Sequence, residues 1–216
     1  MKVTAMPTKT TPRRRRKAAR RKNPLPLFLG LMAVGGVLVL LGIRFLLPGN
    51  TRNPPSMPDW VTVDLLEENA YSRPGIQLRQ VNGIVVHYVG NAGTTAEQNR
   101  SYFASLAQTH ETHASAHFVI GLKGEILQCV PLDELAYCSN DRNTDTISIE
   151  CCHPGEDGAF TQETYDSLVR LCRFLIRHYR LHQGDVIRHY DVTGKLCPLY
   201  YVEHEDAWAA FQKDIF

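Results

Sequence analysis

Acidic residues are absent from the first 50 positions of this 216-residue chain, although eleven of its 24 lysine and arginine residues lie there. The remaining positions contain the other 13 basic residues and all 22 acids, so their net charge is −9. The overall net charge of +2 therefore hides two regions of different character. This asymmetry excludes one domain of uniform composition over the whole chain.

Charge of either sign is also absent from residues 24–43, whose sequence is PLPLFLGLMAVGGVLVLLGI. A helix of this length, at about 1.5 Å per residue, spans roughly the 30 Å hydrocarbon thickness of a bilayer. We predict a transmembrane signal anchor over residues 25–47, after a basic cytoplasmic N-terminus over residues 1–24. The positive-inside rule then predicts a single-pass protein of the cell membrane whose C-terminal part is extracellular.

Two other interpretations of the N-terminal segment fit its sequence less well. A cleaved signal peptide has a shorter apolar run, and no A-x-A-like site follows in RFLLPGNTRNPPS. A basic run can also bind nucleic acid, but an adjacent anchor already accounts for this charge. We therefore expect a membrane contact through the N-terminal helix and no nucleic-acid partner.

The segment after the predicted anchor, residues 48–59, contains four prolines and little apolar content. Such a composition predicts a linker. The globular domain is predicted over residues 60–216, and we expect it to be a monomer. No internal repeat is visible in it.

The spacing of the six cysteines excludes a small disulfide-rich scaffold. Cys129, Cys151 and Cys172 occupy apolar periodic positions, which favours buried free thiols. Because an extracellular location permits disulfides, the state of Cys197 stays open at this point. It is a metal ligand, half of a disulfide or an ordinary thiol.

Short apolar runs that alternate with amphipathic segments predict the fold class. We expect an α/β domain with a central mixed β-sheet of about five strands flanked by helices. Helices are predicted to begin near Ala96, Thr161 and His204. The predicted strands are residues 83–89, 116–121, 125–130, 145–152 and 185–192.

Two histidines lie at predicted strand ends, where α/β folds place functional sites. His87 precedes the loop VGNAG, and His189 precedes DVTGKLCP, in which Cys197 follows a Gly-Lys turn. Two imidazoles and one thiolate are a typical ligand set for Zn²⁺, and three protein ligands leave one position open for water. Each residue alone is more often structural, but the three together favour a catalytic zinc site.

The segments VVHYVGN, SAHFVIGLKGEILQCVP, DTISIECC and RHYDVTGKLCP occur in this order. Together they resemble the zinc-dependent N-acetylmuramoyl-L-alanine amidases of the type 2 family, which is similar to phage T7 lysozyme and the peptidoglycan recognition proteins. The resemblance covers residues 60–213 and is most specific in the closing H-x7-C-P segment. It implies an amidase-like fold, Zn²⁺ on the same three residues, and cleavage of the amide between N-acetylmuramic acid and L-alanine of peptidoglycan.

The resemblance also implies two catalytic residues. Lys195 matches the family lysine that stabilises the oxyanion. A tyrosine used in one branch is replaced here by Ala116, whereas a second branch has its general base in a strand IGIE, which corresponds to ISIE and therefore to Glu150. Strand alternation places Glu150 on the face opposite Ile149. Because a carboxylate inside an apolar strand is unfavourable unless paired or functional, a structural salt bridge is the alternative.

The remaining candidates have less specific signals. We interpret His117 as a residue that lines the substrate or supports the site from behind, and Asn91 as a substrate-binding residue. Asp191 either orients His189 or caps a turn. In LAYCSN, Cys138 stands where relatives often have histidine, which leaves that substrate contact uncertain.

Two other functions compete with a cell-wall amidase. A noncatalytic peptidoglycan-binding module would keep the fold but typically lose the ligand or catalytic residues. A thiol hydrolase would use Cys197 as its nucleophile, with a histidine as base, and would work without metal.

Overall fold

The computed structural model describes residues 53–216. The predicted basic N-terminus and transmembrane anchor lie outside these residues, and the proposed domain boundaries stay predictions. Within the described part, no helix combines the length and the apolar character that crossing a membrane requires.

A six-stranded sheet forms the centre of the described domain, in the order β1-β4-β3-β5-β2-β6. β3 and β4 pair antiparallel as a hairpin, and the other neighbours pair parallel, so the sheet is mixed as predicted. The strands are β1 (Thr62–Val63), β2 (Gly83–Tyr88), β3 (Phe118–Ile120), β4 (Ile126–Gln128), β5 (Thr146–Cys151) and β6 (Val186–Arg188).

The sixth strand is the one that the sequence did not indicate. β1 contains only two residues, both exposed, and it lies at the edge of the sheet beside β4. A strand this short carries no apolar alternation, so no pattern marks it.

Five α-helices surround the sheet within the described part of the chain. They are α1 (Ala96–Thr109), α2 (Gln162–Tyr179), α3 (His189–Thr193), α4 (Leu199–Glu203) and α5 (Glu205–Ile215). The two long helices begin where the sequence predicted. Thr95 forms a capping box with Gln98 at the start of α1, and the Thr161 hydroxyl accepts a hydrogen bond from the Thr164 amide at the start of α2.

The two faces of the sheet pack against different helices. On one face, Ile147, Ile149 and Cys151 of β5 pack with the apolar stripe of α2 in the larger hydrophobic core. On the other face, Cys152 packs in a smaller core with residues of α1. The predicted alternation of β5 is therefore confirmed, and it assigns Ser148 and Glu150 to the α1 face.

One predicted strand is corrected by the structure. The strand predicted over residues 185–192 covers only Val186–Arg188, and His189 begins α3 instead of ending the strand. Asp191 explains the change, because its carboxylate accepts a hydrogen bond from the Arg188 amide at 2.8 Å and so caps the helix.

Candidate metal centre and active site

His87 and Glu150 are brought together by the register of the sheet. They are direct partners in the parallel pair β2–β5, near the carboxyl ends of both strands. Side chains of paired residues lie on the same face of a sheet. His87 is buried, and together with Glu150 it lies on the face of the sheet that packs against α1.

His189 reaches the same point from the neighbouring strand β6, because α3 begins directly after that strand. Its imidazole ring lies beside that of His87, with ring centroids 4.6 Å apart. The turn is held by Arg188, a buried guanidinium that forms ion pairs with Asp191 and Glu205. Asp191 thus caps the turn and pairs with Arg188, which supports the capping alternative of the two considered for it.

Cys197 completes the group from the loop after α3. The loop folds back on the helix, since the Tyr190 amide donates to the Cys197 carbonyl at 2.9 Å. The buried Cys197 Sγ lies 3.8 Å from His87 Nδ1. One ligand atom each from His87, His189 and Cys197 lies within 4.8 Å of the other two, so the structure brings the three predicted ligands together.

Both histidines are oriented by hydrogen bonds on their outer nitrogens. His87 Nε2 lies 3.0 Å from Ser139 Oγ, and His189 Nε2 lies 2.8 Å from Asn140 Oδ1. When Nε2–H donates in both cases, the two Nδ1 atoms are left with free lone pairs for a metal ion. Partners of this kind fix the tautomer and the ring orientation of metal-binding histidines.

Ser139 and Asn140 are functional candidates that sequence reasoning missed. They belong to the segment LAYCSN, which drew attention only through Cys138. Asn143 holds the segment in place, because its Oδ1 accepts hydrogen bonds from the amides of Cys138 and Ser139. Asn140 has a φ of 52°, a left-handed conformation that asparagine tolerates better than most residues.

The shifted pKa values of His87, His189 and Cys197 favour the uncharged form of all three side chains. Burial, with His189 and Lys195 nearby, holds the pKa of His87 well below its ordinary value, and burial likewise lowers the pKa of His189. Burial, reinforced by Glu150, raises the pKa of the Cys197 thiol to about 12. Neutral imidazoles are ready to coordinate, whereas the thiol must lose its proton to the incoming metal ion.

Glu150 has no cationic partner within 4 Å among residues 53–216, so the structure does not contain the salt bridge considered as the alternative. Its Oε1 lies 3.5 Å from Cys138 Sγ, and its buried Oε2 has no hydrogen-bond partner. Burial raises the pKa of Glu150 to about 7, although Cys138 and Lys195 act in the opposite direction. A carboxyl group with this pKa exchanges protons near neutral pH.

Lys195 is an exposed residue on the same loop as Cys197, two positions before it. It forms no ion pair within the described chain, and it lines the cavity next to Glu150 and the three ligands. The ammonium group is therefore free to contact an anionic or polar group that enters the cavity.

The residues surround a hollow that opens into a wider cleft. His87, His189 and Cys197 line a hollow of about 180 Å³. Glu150 and Lys195 belong both to this hollow and to an adjoining cleft of about 430 Å³, which extends along α1. Asn91, predicted to bind substrate, also lines this larger cleft.

His117, considered as a substrate contact or as a support of the site, lies next to β5. It is buried directly before β3, where its Nδ1 lies 3.0 Å from Ser148 Oγ and its Nε2 lies 2.9 Å from the Glu134 carbonyl oxygen. Because both ring nitrogens are engaged and burial lowers the pKa of His117 to about 4, the ring is a neutral link between β5 and the loop that contains Glu134. This position agrees with a residue that supports the site from behind.

The donor set fits a zinc ion. Two neutral imidazoles and one thiol converge, each imidazole is fixed on its far side, and a buried carboxylate oxygen lacks a partner beside them. Zinc prefers nitrogen and sulfur ligands in this combination, and a site with three protein ligands is typical of catalysis. The cysteines of the described part are all free thiols, which excludes a disulfide at Cys197 within it.

The fold and these ligands can be compared with known proteins. The model of the N-acetylmuramoyl-L-alanine amidase family known as Amidase_2 matches residues 77–199, more than half of the chain. The chain belongs to this amidase family. The match includes Asn91, the three candidate ligands His87, His189 and Cys197, and the catalytic candidates Glu150 and Lys195.

Comparison with individual proteins supports the same family assignment. The chain is 33% identical over 168 residues to the N-acetylmuramoyl-L-alanine amidase CwlL of Bacillus licheniformis, covering 72% of this chain and 46% of that protein. It is 31% identical over 172 residues to the amidase BlyA of Bacillus subtilis (strain 168), covering 68% and 44%. The chain thus spans less than half the length of these curated relatives.

The fold is also shared with solved structures. A mutant endolysin from Bacillus subtilis superposes with a TM-score of 0.60 at 26% identity, covering 72% of this chain and 98% of that one. The described domain therefore corresponds to nearly all of that solved chain.

Proposed function

We propose that this protein is a membrane-anchored, zinc-dependent N-acetylmuramoyl-L-alanine amidase. It would hydrolyse the amide between N-acetylmuramic acid and the L-alanine of the stem peptide. The observation that carries this proposal is the convergence of His87, His189 and Cys197 beside the unpaired carboxylate of Glu150, in a chain that belongs to the amidase family. A module that only binds peptidoglycan has no need of such a group.

His87, His189 and Cys197 would hold the zinc ion. Zinc at such a site supplies Lewis acidity, which polarises a carbonyl group and acidifies water. Glu150 would accept the proton that water loses, because its side chain lines the same hollow and its Oε2 has no hydrogen-bond partner. The pKa of about 7 allows Glu150 to return that proton to the leaving amine of L-alanine.

Lys195 would stabilise the negative charge that develops on the carbonyl oxygen. Its ammonium group is not engaged elsewhere in the described chain, and it stands at the junction of the hollow and the larger cleft. A fixed cation at that position lowers the energy of the tetrahedral state more than that of the planar amide. The cleft along α1, which includes Asn91, is the place for the muropeptide.

The proposed location follows from the N-terminal sequence. An uncharged segment after a basic head would place the domain outside the cytoplasmic membrane, where peptidoglycan lies. The proposed anchor would thus hold the domain in the compartment that contains the proposed substrate. A thiol hydrolase is disfavoured, since a buried Cys197 thiol with a raised pKa is a poor nucleophile.

The test uses the full chain purified in detergent. The protein is stripped with a zinc chelator, restored with Zn²⁺, and assayed for muropeptides with new L-alanine amino termini. We expect activity to vanish on stripping and to return with zinc. Full activity in chelator would exclude the zinc mechanism, and binding of muropeptides without product in either state would favour the binding module.

A further inference from the structure

The exposed side of α2 carries a stripe of arginines. Arg170, Arg173, Arg177 and Arg180 recur at spacings of three and four residues, and all four are exposed. Arg170, Arg173 and Arg177 share one side of α2 and extend over roughly 10 Å. Arg180 follows directly after the helix as its C-cap. No acid occurs in residues 167–184, and none of the four arginines forms an ion pair within the described residues. We call these four residues the arginine stripe.

Apolar groups border the stripe at both of its edges. The Arg170 guanidinium lies 4.2 Å from the centroid of the Trp60 ring. At the other edge, Arg173 and Arg177 line a hollow of about 290 Å³ whose remaining walls are Ile176, Ile215 and Phe216. Phe216 is 52% exposed. Cationic groups next to aromatic and aliphatic ones are typical of surfaces that meet the headgroup region of a bilayer.

The described chain begins beside the arginine stripe. His178 Nε2 lies 2.7 Å from the carbonyl oxygen of Asn53, the first residue that the structure describes. The predicted anchor ends at Leu47, six residues earlier. Six residues span at most roughly 20 Å even when fully extended. A chain anchored at Leu47 would therefore keep Asn53, and the end of α2 that contacts it, within about 20 Å of the anchor's end.

The catalytic cleft lies on the other side of the sheet. The buried stripe of α2 packs on Ile147 and Ile149 of β5, whereas Glu150 belongs to the opposite face of that strand, with the cleft along α1. When the arginine stripe meets a surface, the sheet separates that surface from the cleft.

We propose that the arginine stripe docks on the anionic phospholipids of the membrane that holds the anchor, and that docking directs the catalytic cleft away from the bilayer. The proposal rests on the anchored topology proposed above. Guanidinium groups bind phosphates in a bidentate manner, and basic residues near an anionic surface attract it within about one Debye length, about 10 Å at 0.1 M salt. The occupant is the lipid surface because the chain enters beside the stripe and the tether is short.

The experiment reconstitutes the full chain into vesicles of phosphatidylcholine with and without phosphatidylglycerol, each carrying a dansyl-labelled lipid. Energy transfer from the two tryptophans to the dansyl groups reports how closely the domain approaches the bilayer. We expect more transfer with phosphatidylglycerol, and a loss of that gain at high salt. The double variant Arg173→Glu/Arg177→Glu should reduce the gain by roughly two-fold or more, because like charges then repel.

Matched controls distinguish an effect of the arginine stripe from an effect of the protein's overall net charge. Arg79→Glu/Lys123→Glu changes the net charge equally at exposed positions outside the stripe, and should keep the gain. Phenylglyoxal labelling of the unmutated chain should show protection of Arg173 and Arg177, but not of Arg79, on anionic vesicles. Circular dichroism confirms that each variant is folded.

Several outcomes would overturn the proposal. Equal energy transfer in both kinds of vesicle contradicts it, as does an equal loss in both double variants. Protection of Arg173 by soluble polyphosphate but not by anionic vesicles would assign the stripe to a polyanionic polymer instead. A chain that carbonate strips from the vesicles contradicts the anchor alone, and labelling on anionic vesicles then still decides whether the stripe binds lipid.

Discussion

The two faces of β5 differ in what they contribute to the protein. Ile147, Ile149 and Cys151 face α2 and lie in the larger core with aliphatic and aromatic neighbours. On the other face, Glu150 lies beside the candidate metal ligands, and its buried oxygen has no hydrogen-bond partner. One strand thus provides apolar contacts that stabilise the fold and a polar group that destabilises it.

This difference shows how the domain combines stability with reactivity. Burying an unpaired carboxylate is unfavourable, and burial raises its pKa toward neutrality, where it is useful as a base. The α2 face offsets that cost through close packing. We therefore expect substitutions on the α1 face to change chemistry and substitutions on the α2 face to change stability.

The largest expected effect is on the α1 face. Glu150→Gln keeps the shape of the side chain but cannot accept a proton, so the amidase rate should fall about 10²–10⁴-fold. The variant should be at least as stable as the parent, since a buried charge is removed. The rate of muropeptide release and the thermal midpoint are measured together. Glu163→Gln, on the exposed first turn of α2, is the matched control, and a wild-type rate for Glu150→Gln would remove Glu150 as base.

On the α2 face, Leu171→Ala should show the opposite behaviour. Leu171 is fully buried, and deletion of such a side chain costs about 2–5 kcal/mol in the free energy of unfolding. The rate per folded molecule should be unchanged. Urea unfolding and the activity of the folded fraction test this. Val169→Ala, at a partly buried position of the same helix, should lose less. A rate loss without a stability loss in Leu171→Ala would contradict the division between the faces.

The pH dependence of stability should also distinguish the faces. The folded-state pKa of Glu150 is about 7, above its ordinary value of 4.5, so the folded metal-free protein holds this proton more tightly than the unfolded chain. Its stabilising contribution is complete below pH 4.5 and is lost as pH rises through 7. The loss amounts to about 3 kcal/mol at most. We expect urea unfolding of the metal-free parent, relative to Glu150→Gln, to show this decline, and parallel pH profiles would contradict it.

A smaller effect, on zinc affinity, is expected from residues outside the sheet that hydrogen-bond to the candidate ligands of the α1 face. Asn140→Ala removes the hydrogen bond to His189 Nε2 and leaves Nδ1, the nitrogen proposed to bind the metal, unchanged. Such losses typically reduce metal affinity about 10–100-fold. Competition with a chromogenic zinc chelator measures the change. Asn143→Ala, which frees the whole segment, should weaken zinc at least as much. Unchanged zinc affinity in both variants would show that the histidines need no outer support.

Much of this arrangement follows from local sequence patterns. The alternation of β5 and the positions of His87 and Cys197 beside glycine-containing turns predicted which residues would meet. The packing of α2 was visible as an apolar stripe. These features depend on periods of two or about 3.6 residues, which a sequence displays directly.

Other features depend on contacts between distant segments. The hydrogen bond between Asn140 and His189 joins residues 49 positions apart, and no periodicity marks it. His117 looks like a site residue until its two ring nitrogens are seen to bond Ser148 and the Glu134 carbonyl. The sequence pattern predicts a longer strand than β6, because it does not reveal the Asp191 cap. This cap starts α3 and so competes with strand pairing.

The central claim is that His87, His189 and Cys197 form one metal centre on the α1 face. Replacing zinc by Co²⁺ in the full chain tests it most directly, since a bound thiolate produces an ultraviolet charge-transfer band. We predict one cobalt per chain, a thiolate band that Cys197→Ser abolishes, and an unchanged band in Cys129→Ser, another buried free thiol. A Cys197→Ser variant that keeps the parent's cobalt stoichiometry and thiolate band would contradict the account.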